Sequence, residues 1–177
     1  MNVLKTAWMV FTIPFFMMSC SVISQQIRKE SMAPVGFKML LQETDQYLGN
    51  TVILGGYILE TQNLPDKSSI KVLQAPLGLG ENPKSKDDSE GRFIVSQKGF
   101  LDPEIYSKDR KVTVAGTVVG KTIEKIDHSA QPYLKLDSRE IYLWPKEVYY
   151  PGPFYDPWYY PYYYYWYPYP YYPYYPY

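Results

Sequence analysis

The sequence predicts a mainly β fold: a small, partly open barrel of five strands with one short helix, flanked by disordered or extended termini. Three observations predict it. Five apolar runs with strand spacing lie between Thr51 and Trp144, separated by polar loops. A helix-start signal falls between the third and fourth runs. The two ends of the chain differ in composition from any packed domain, one being an apolar leader and the other tyrosine and proline.

The leader comes first. MNVLKTAWMVFTIPFFMMS, residues 1–19, has Lys5 and the terminal amine as its positive region, then an apolar run from Thr6 to Met18. This is the layout of a secretory signal peptide. The run is short of the ~20 residues a bilayer-spanning helix needs, and Pro14 interrupts it. Ser19 and Cys20 follow, and Cys20 is the one cysteine of the chain, which excludes an internal disulfide. The placement resembles the lipobox of bacterial lipoproteins, although Met17 and Met18 are bulkier than its usual residues. By that resemblance, cleavage falls between Ser19 and Cys20, and the Cys20 thiol carries a diacylglyceryl group. The alternative is a chance cysteine beside an ordinary cleavage site. Ser21, which is not Asp, favours the outer membrane by the same resemblance.

Residues 20–34 are expected to be the lipidated cysteine and a polar, unpatterned tether, and residues 35–148 the folded domain. Phe37–Leu41 is either a helical turn or an edge strand, and Tyr47–Asn50 (YLGN) reads as a turn. The first strand, Thr51–Glu60, has apolar residues of both parities, so both of its faces are covered at different points. Gly55 and Gly56 inside it mark a bulge, a bend or a close backbone approach. Ser68–Leu77 is the second strand, with Ile70 and Val72 sharing a face, and Gly91–Gln97 the third, with Phe93 and Val95 sharing one. Asp102, Pro103 and Glu104 then supply a cap, a first-turn proline and an acidic first turn, predicting one or two helical turns over Pro103–Ser107. In the fourth strand, Arg110–Lys121, Val112, Val114, Gly116 and Val118 share a face. In the fifth, Pro132–Pro145, Leu134 and Leu136 have one parity and Ile141 and Leu143 the other. A two-residue period cannot bury all four, so a bulge is expected near Ser138–Arg139. The order, three strands, a short helix and two strands, is that of an OB-like barrel.

Little in the chain suggests catalysis. The sole histidine, His128, lies in the polar loop KIDHSAQ and reads as solvated. No G-x-S-x-G elbow occurs. Asp87, Asp88 and Glu90 lack EF-hand spacing and are flanked by Lys84 and Lys86, so a solvated loop is favoured over a metal site. Gly78-Leu79-Gly80 is followed by no Gly-Lys-Ser/Thr and is not a phosphate loop. No catalytic residue, metal ligand or cofactor is assigned, and no small-molecule ligand. The chain has 18 basic and 18 acidic side chains, a balance that argues against nucleic acid as a partner.

The blocks VILGGYI, VLQAPL, SEGRFIVSQKGFLDPEIY, RKVTVAGTVVG and IYLWP resemble the Slp family of outer-membrane lipoproteins. They run from about Tyr47 to Pro145, and Gly91–Gly120 is the most specific part. The resemblance implies a lipid-anchored, periplasm-facing envelope protein associated with starvation and related stress. It implies no catalytic residues.

Residues 149–177 form a low-complexity tail with sixteen of the 21 tyrosines and half of the 16 prolines. Proline blocks helix and central-strand pairing, and a polyproline II chain of this length reaches on the order of 90 Å. Asp156 is its one charge, which is poor solvation for a disordered segment. Aromatic rings, with Trp158, Tyr163, Tyr164 and Trp166 as the leading candidates, are therefore expected to contact cell wall or lipopolysaccharide. Two rivals remain open from sequence: an envelope hydrolase with an unrecognised site, and an OB-type ligand-binding module.

Overall fold

The computed structural model describes residues 21–126 and 129–146. Its five strands are β1 (Thr51–Asn63), β2 (Lys67–Ala75), β3 (Arg92–Lys98), β4 (Lys111–Ile126) and β5 (Ser129–Leu143). They form a barrel in the order β1-β2-β3-β5-β4, and β1 pairs with β4 to close it. All pairings are antiparallel except β3 with β5. The topology is the predicted OB-like one, and the barrel is closed rather than partly open.

Closure depends on β1. Its residues Gly55, Gly56 and Tyr57 pair on one side with Ala75, Gln74 and Leu73, and on the other with Thr113, Val112 and Lys111. A Cβ built on Gly56 would overlap the carbonyl oxygen of Leu73, so the glycine marks a close backbone approach. The β1 bulge itself falls at Leu59, where the register with β2 shifts between Ile58 and Glu60.

Alternation fills the interior. Val52, Leu54 and Ile58 of β1 meet Ile70 and Val72 of β2, Phe93 and Val95 of β3, Val112, Val114 and Val118 of β4, and Leu134 and Leu136 of β5. Burying each such side chain stabilises by roughly 1.5–3 kcal/mol. The bulge predicted in β5 is present: Ala115 faces Glu140 while Gly116 faces Ser138, which leaves Arg139 as the extra residue. Ile141 and Leu143 accordingly pack against the same core as Leu134 and Leu136.

The helical segments are short. Pro103–Ser107 makes one turn and no continued helix. Asp102 Oδ1 accepts from the Glu104 amide at 2.9 Å, and the Asp102 carbonyl accepts from the Tyr106 amide at 2.8 Å. The chain then enters a left-handed conformation at Asp109 (φ 66°), whose amide donates to the Ile58 carbonyl at 2.8 Å. That tie to β1 ends the turn before a second can form. The regular helices lie earlier, α1 at Gln25–Glu30 and α2 at Phe37–Gln42. The ambiguous Phe37–Leu41 stretch is thus helical. Phe37 and Leu40 enter the barrel core, with the Phe37 ring 6.2 Å from that of Phe93. Tyr47–Asn50 is a turn, with Gly49 at φ 81°.

Gly56→Ala forces a methyl group onto a backbone carbonyl that is fixed from both sides. It should lower stability by at least about 2 kcal/mol, read as a fall in the urea midpoint. Gly55→Ala should cost less, because its nearest obstacle is the flexible end of Leu77. Equal midpoints for Gly56→Ala and the parent chain would contradict this account of closure.

Candidate functional site

The stretch expected to be a polar, unpatterned tether packs, from Ser21 on, against the barrel. Ile23 is 2% exposed. Ser24 N donates to Glu140 Oε2 at 3.0 Å, and Met32 N donates to the Thr51 carbonyl at 2.9 Å. Ser31 forms a parallel bridge with Thr51. Arg139, the bulge residue of β5, reaches Glu30 at 2.6 Å and Thr51 Oγ1 at 3.3 Å. The Arg139 hydrogen bond is the main reason the Glu30 carboxyl is held below its ordinary range. This segment packs on the outer wall of the barrel, against Thr51, Glu81, Arg139 and Glu140.

Glu81 is the centre of the contact. Its side chain lies beneath the amino-terminal segment. Oε2 accepts from Ser21 Oγ at 2.8 Å and from the Ile23 amide at 3.2 Å, and Oε1 pairs with Arg28 Nη2 at 2.7 Å. Its backbone is left-handed at φ 65°, a conformation that costs a non-glycine residue on the order of 1–3 kcal/mol. Hydrogen bonds to a charged group contribute about 1.5–3 kcal/mol each, so three donors outweigh that strain. The Glu81 carbonyl accepts from Thr113 Oγ1 at 2.7 Å, and the same hydroxyl accepts from Trp144 Nε1 at 2.9 Å.

The loop carrying Glu81 is braced along its length. Lys84 N donates to the Pro76 carbonyl and Gly78 N to the Asn82 carbonyl, each at 2.8 Å. Leu77 bridges Pro83, and Tyr57 Oη donates to the Lys84 carbonyl at 2.7 Å. Beside this loop lies a cleft of about 630 Å³ between residues 31–40 and the barrel wall. Met32, Val35, Phe37, Leu54 and Leu77 line it, and its charged members are Arg28, Glu81 and Glu90. Glu90 Oε2 accepts from the Lys38 amide at 3.2 Å. Size and lining suit an apolar ligand.

Most of the residues singled out in the sequence fall outside the described part of the chain. Ser19, Cys20, Trp158, Tyr163, Tyr164 and Trp166 lie outside the described residues, as does His128. Asp87 and Asp88 sit in an exposed turn where Ser85 Oγ accepts from the Asp87 amide. Among the described residues, no three His, Cys, Asp or Glu side chains group as a metal site would require. Glu81, Arg28 and Ile23 were missed by sequence reasoning. The available signal was faint: Ile23 and Ile27, four apart in a polar stretch, are spaced for one side of a helix.

Fold and site together define a small OB-like barrel whose amino-terminal segment, starting one residue after the candidate lipidation site, is fastened to its outer wall. The outer membrane lipoprotein Slp family matches residues 17–175, and the chain belongs to that family. It is an outer-membrane lipoprotein of the Slp type. In Escherichia coli strain K12 it is similar to the uncharacterized lipoprotein YeaY, with 26% identity over 84% of this chain and 78% of that one. It is also similar to the outer membrane protein Slp of the same organism, with 27% identity over 81% and 77%. Among solved structures, an OBody bound to hen egg-white lysozyme aligns with 66% of this chain and all of its own, at 14% identity and a TM-score of 0.41.

Removing the Glu81 carboxylate should free the amino-terminal segment while the barrel persists. With Glu81→Ala, trypsin should cut at Arg28 or Lys29 about tenfold faster, the equivalent of about 1.4 kcal/mol. Unchanged cleavage would show that the carboxylate does not hold the segment.

Proposed function

We propose that this protein is a non-enzymatic, periplasm-facing envelope module, anchored by acylation of Cys20, whose aromatic tail contacts envelope polymers. The anchor reading is carried by Cys20, the one cysteine, directly after the apolar leader in a chain of a lipoprotein family. The fastening of Ser21, Ile23 and Arg28 to Glu81 is what would hold the barrel close to it. A chain held so firmly one residue after its candidate lipid has its barrel placed at the membrane by covalent attachment. The family resemblance associates such a protein with starvation and related stress.

The engagement of the cleft carboxylates supports a non-enzymatic role. Glu81 is occupied by Ser21, Ile23 and Arg28, and Glu90 by the Lys38 amide. A hydrolase would need one of these carboxyls turned toward a substrate. The apolar cleft supports a second reading, an OB-type binding module for an apolar ligand, which would act from the same anchored position.

Mass spectrometry of the mature amino terminus from an envelope fraction should find Cys20 as the first residue, carrying acyl chains. A free cysteine there would remove the anchor. A noncovalent apolar adduct in the native spectrum of the same preparation would favour the binding module.

The tail reading rests on composition: aromatic rings in quantity and Asp156 as the one charge after Val148. A chain ending at Val148 should keep its barrel and lose retention on isolated cell wall or lipopolysaccharide. Retention equal to that of the full chain would refute the contact.

A further inference from the structure

Leu79 is 100% exposed, the most exposed of the large apolar side chains among the described residues. Single exposed leucines are common on soluble proteins and ordinarily need no explanation. This one differs in where it sits and how it is held. It lies between Gly78 and Gly80 at the tip of the braced loop, two residues before Glu81. Gly80 is left-handed at φ 66°, so the chain reverses immediately after Leu79. The hydrogen bonds from Gly78 N to Asn82 O and from Lys84 N to Pro76 O close the loop beneath it. A leucine held this way cannot fold back onto the barrel without breaking those bonds.

The same loop holds the start of the chain. Ser21 Oγ lies 2.8 Å from Glu81 Oε2. A trans peptide adds ~3.8 Å between consecutive Cα atoms. Covalent geometry therefore keeps Cys20 within roughly 15 Å of Glu81, whatever the course of the preceding residues. A lipid on Cys20 thus enters the leaflet within roughly 20 Å of Leu79. Lys84, exposed at the base of the loop, lays its side chain along Gly78 and offers a cation at the same level. An apolar tip with a flanking lysine suits the boundary between acyl chains and anionic headgroups.

We propose that the Gly78–Lys84 loop is a membrane-contact element: Leu79 inserts into the leaflet that holds the Cys20 lipid, with Lys84 at the headgroups, and this second contact fixes the barrel's orientation. The occupant of this surface is a lipid leaflet, because the chain itself brings one there. The inference rests on acylation of Cys20, and its test separates the two.

The full-length Leu79→Cys chain is purified from the envelope and its amino terminus checked by mass spectrometry. With Cys20 blocked by its lipid, the introduced thiol is the one available for an environment-sensitive fluorophore. Phe100→Cys is the control. Phe100 is 73% exposed and follows Gly99, whose carbonyl accepts from Ser68 Oγ at the far end of β1 and β2. That end is on the order of 25 Å along β1 from Gly55, against which Leu77 packs. In vesicles of phosphatidylethanolamine and phosphatidylglycerol, the fluorophore at position 79 should shift to the blue. It should also be shielded several-fold from aqueous iodide, while that at position 100 stays accessible. Adding Glu81→Ala should erase the difference between the two positions with acylation intact. Equal accessibility at the two positions on an acylated chain overturns the membrane contact alone. An unacylated Cys20 overturns the anchor and this contact together.

Discussion

The architecture depends on two adjacent residues without side chains. Gly56 faces the barrel interior, where any Cβ would overlap the Leu73 carbonyl, so β1 can pair with β2 and β4 over the same three residues. Gly55 faces outward, and a Cβ there would overlap Leu77. The first glycine lets the barrel close, and the second lets the Leu77–Lys84 loop lie flat on the closed wall. Glu81 reaches Thr113 because that loop lies flat, and the amino-terminal segment reaches the barrel because Glu81 is there. Backbone proximity in the middle of one strand thus fixes a contact that begins at Ser21, the first described residue.

Burying a carboxylate is costly unless it is paired and hydrogen-bonded. Glu81 meets that requirement with donors that all come from the segment it retains. The arrangement is therefore conditional. If Ser21, Ile23 and Arg28 leave, the carboxylate loses its partners together, and so the segment is held as a unit. A chain of apolar contacts alone could slide. A buried charge with a fixed set of donors sets a register, which is the best-attested use of such groups. The Glu30–Arg139 pair at the other end of α1 is more exposed and adds less.

The barrel was legible in the sequence to the level of individual residues. Leu134 and Leu136 against Ile141 and Leu143 required an extra residue near Ser138–Arg139, and the structure places it at Arg139. Valines at 112, 114 and 118 declared one face of β4, and all three are core. The mixed parity of Thr51–Glu60 declared two covered faces, although it could not say what covers the outer one. The cover was illegible because it is not periodic. Ser21–Ala33 is polar along most of its length and is held by long-range hydrogen bonds to Glu81, Glu140 and Thr51. Hydropathy does not register such bonds. Glu81 was hidden for the same reason, as one more charge in a polar loop. The Asp102 cap was read correctly, and of the one or two turns expected after it the structure has one, with Asp109 tied to Ile58 across 51 residues.

One hydroxyl joins the two ends of the described chain. Thr113 Oγ1 donates to the Glu81 carbonyl and accepts from the Trp144 indole, so it uses both hydrogen-bonding roles of a threonine. Glu81 holds the segment that begins at Ser21, and Trp144, just past β5, has its carbonyl taken by Arg110 at 2.7 Å. Valine would fill nearly the same space at position 113 but would leave a buried carbonyl and an indole N–H without their partner, a loss larger than either bond's net contribution. The IYLWP stretch, residues 141–145, therefore has a physical role beyond strand closure. Its tryptophan supports, through one threonine, the loop that grips residues 21–28. Glu81, Thr113 and Trp144 thus tie the start and the end of the described barrel domain together on one side of its wall.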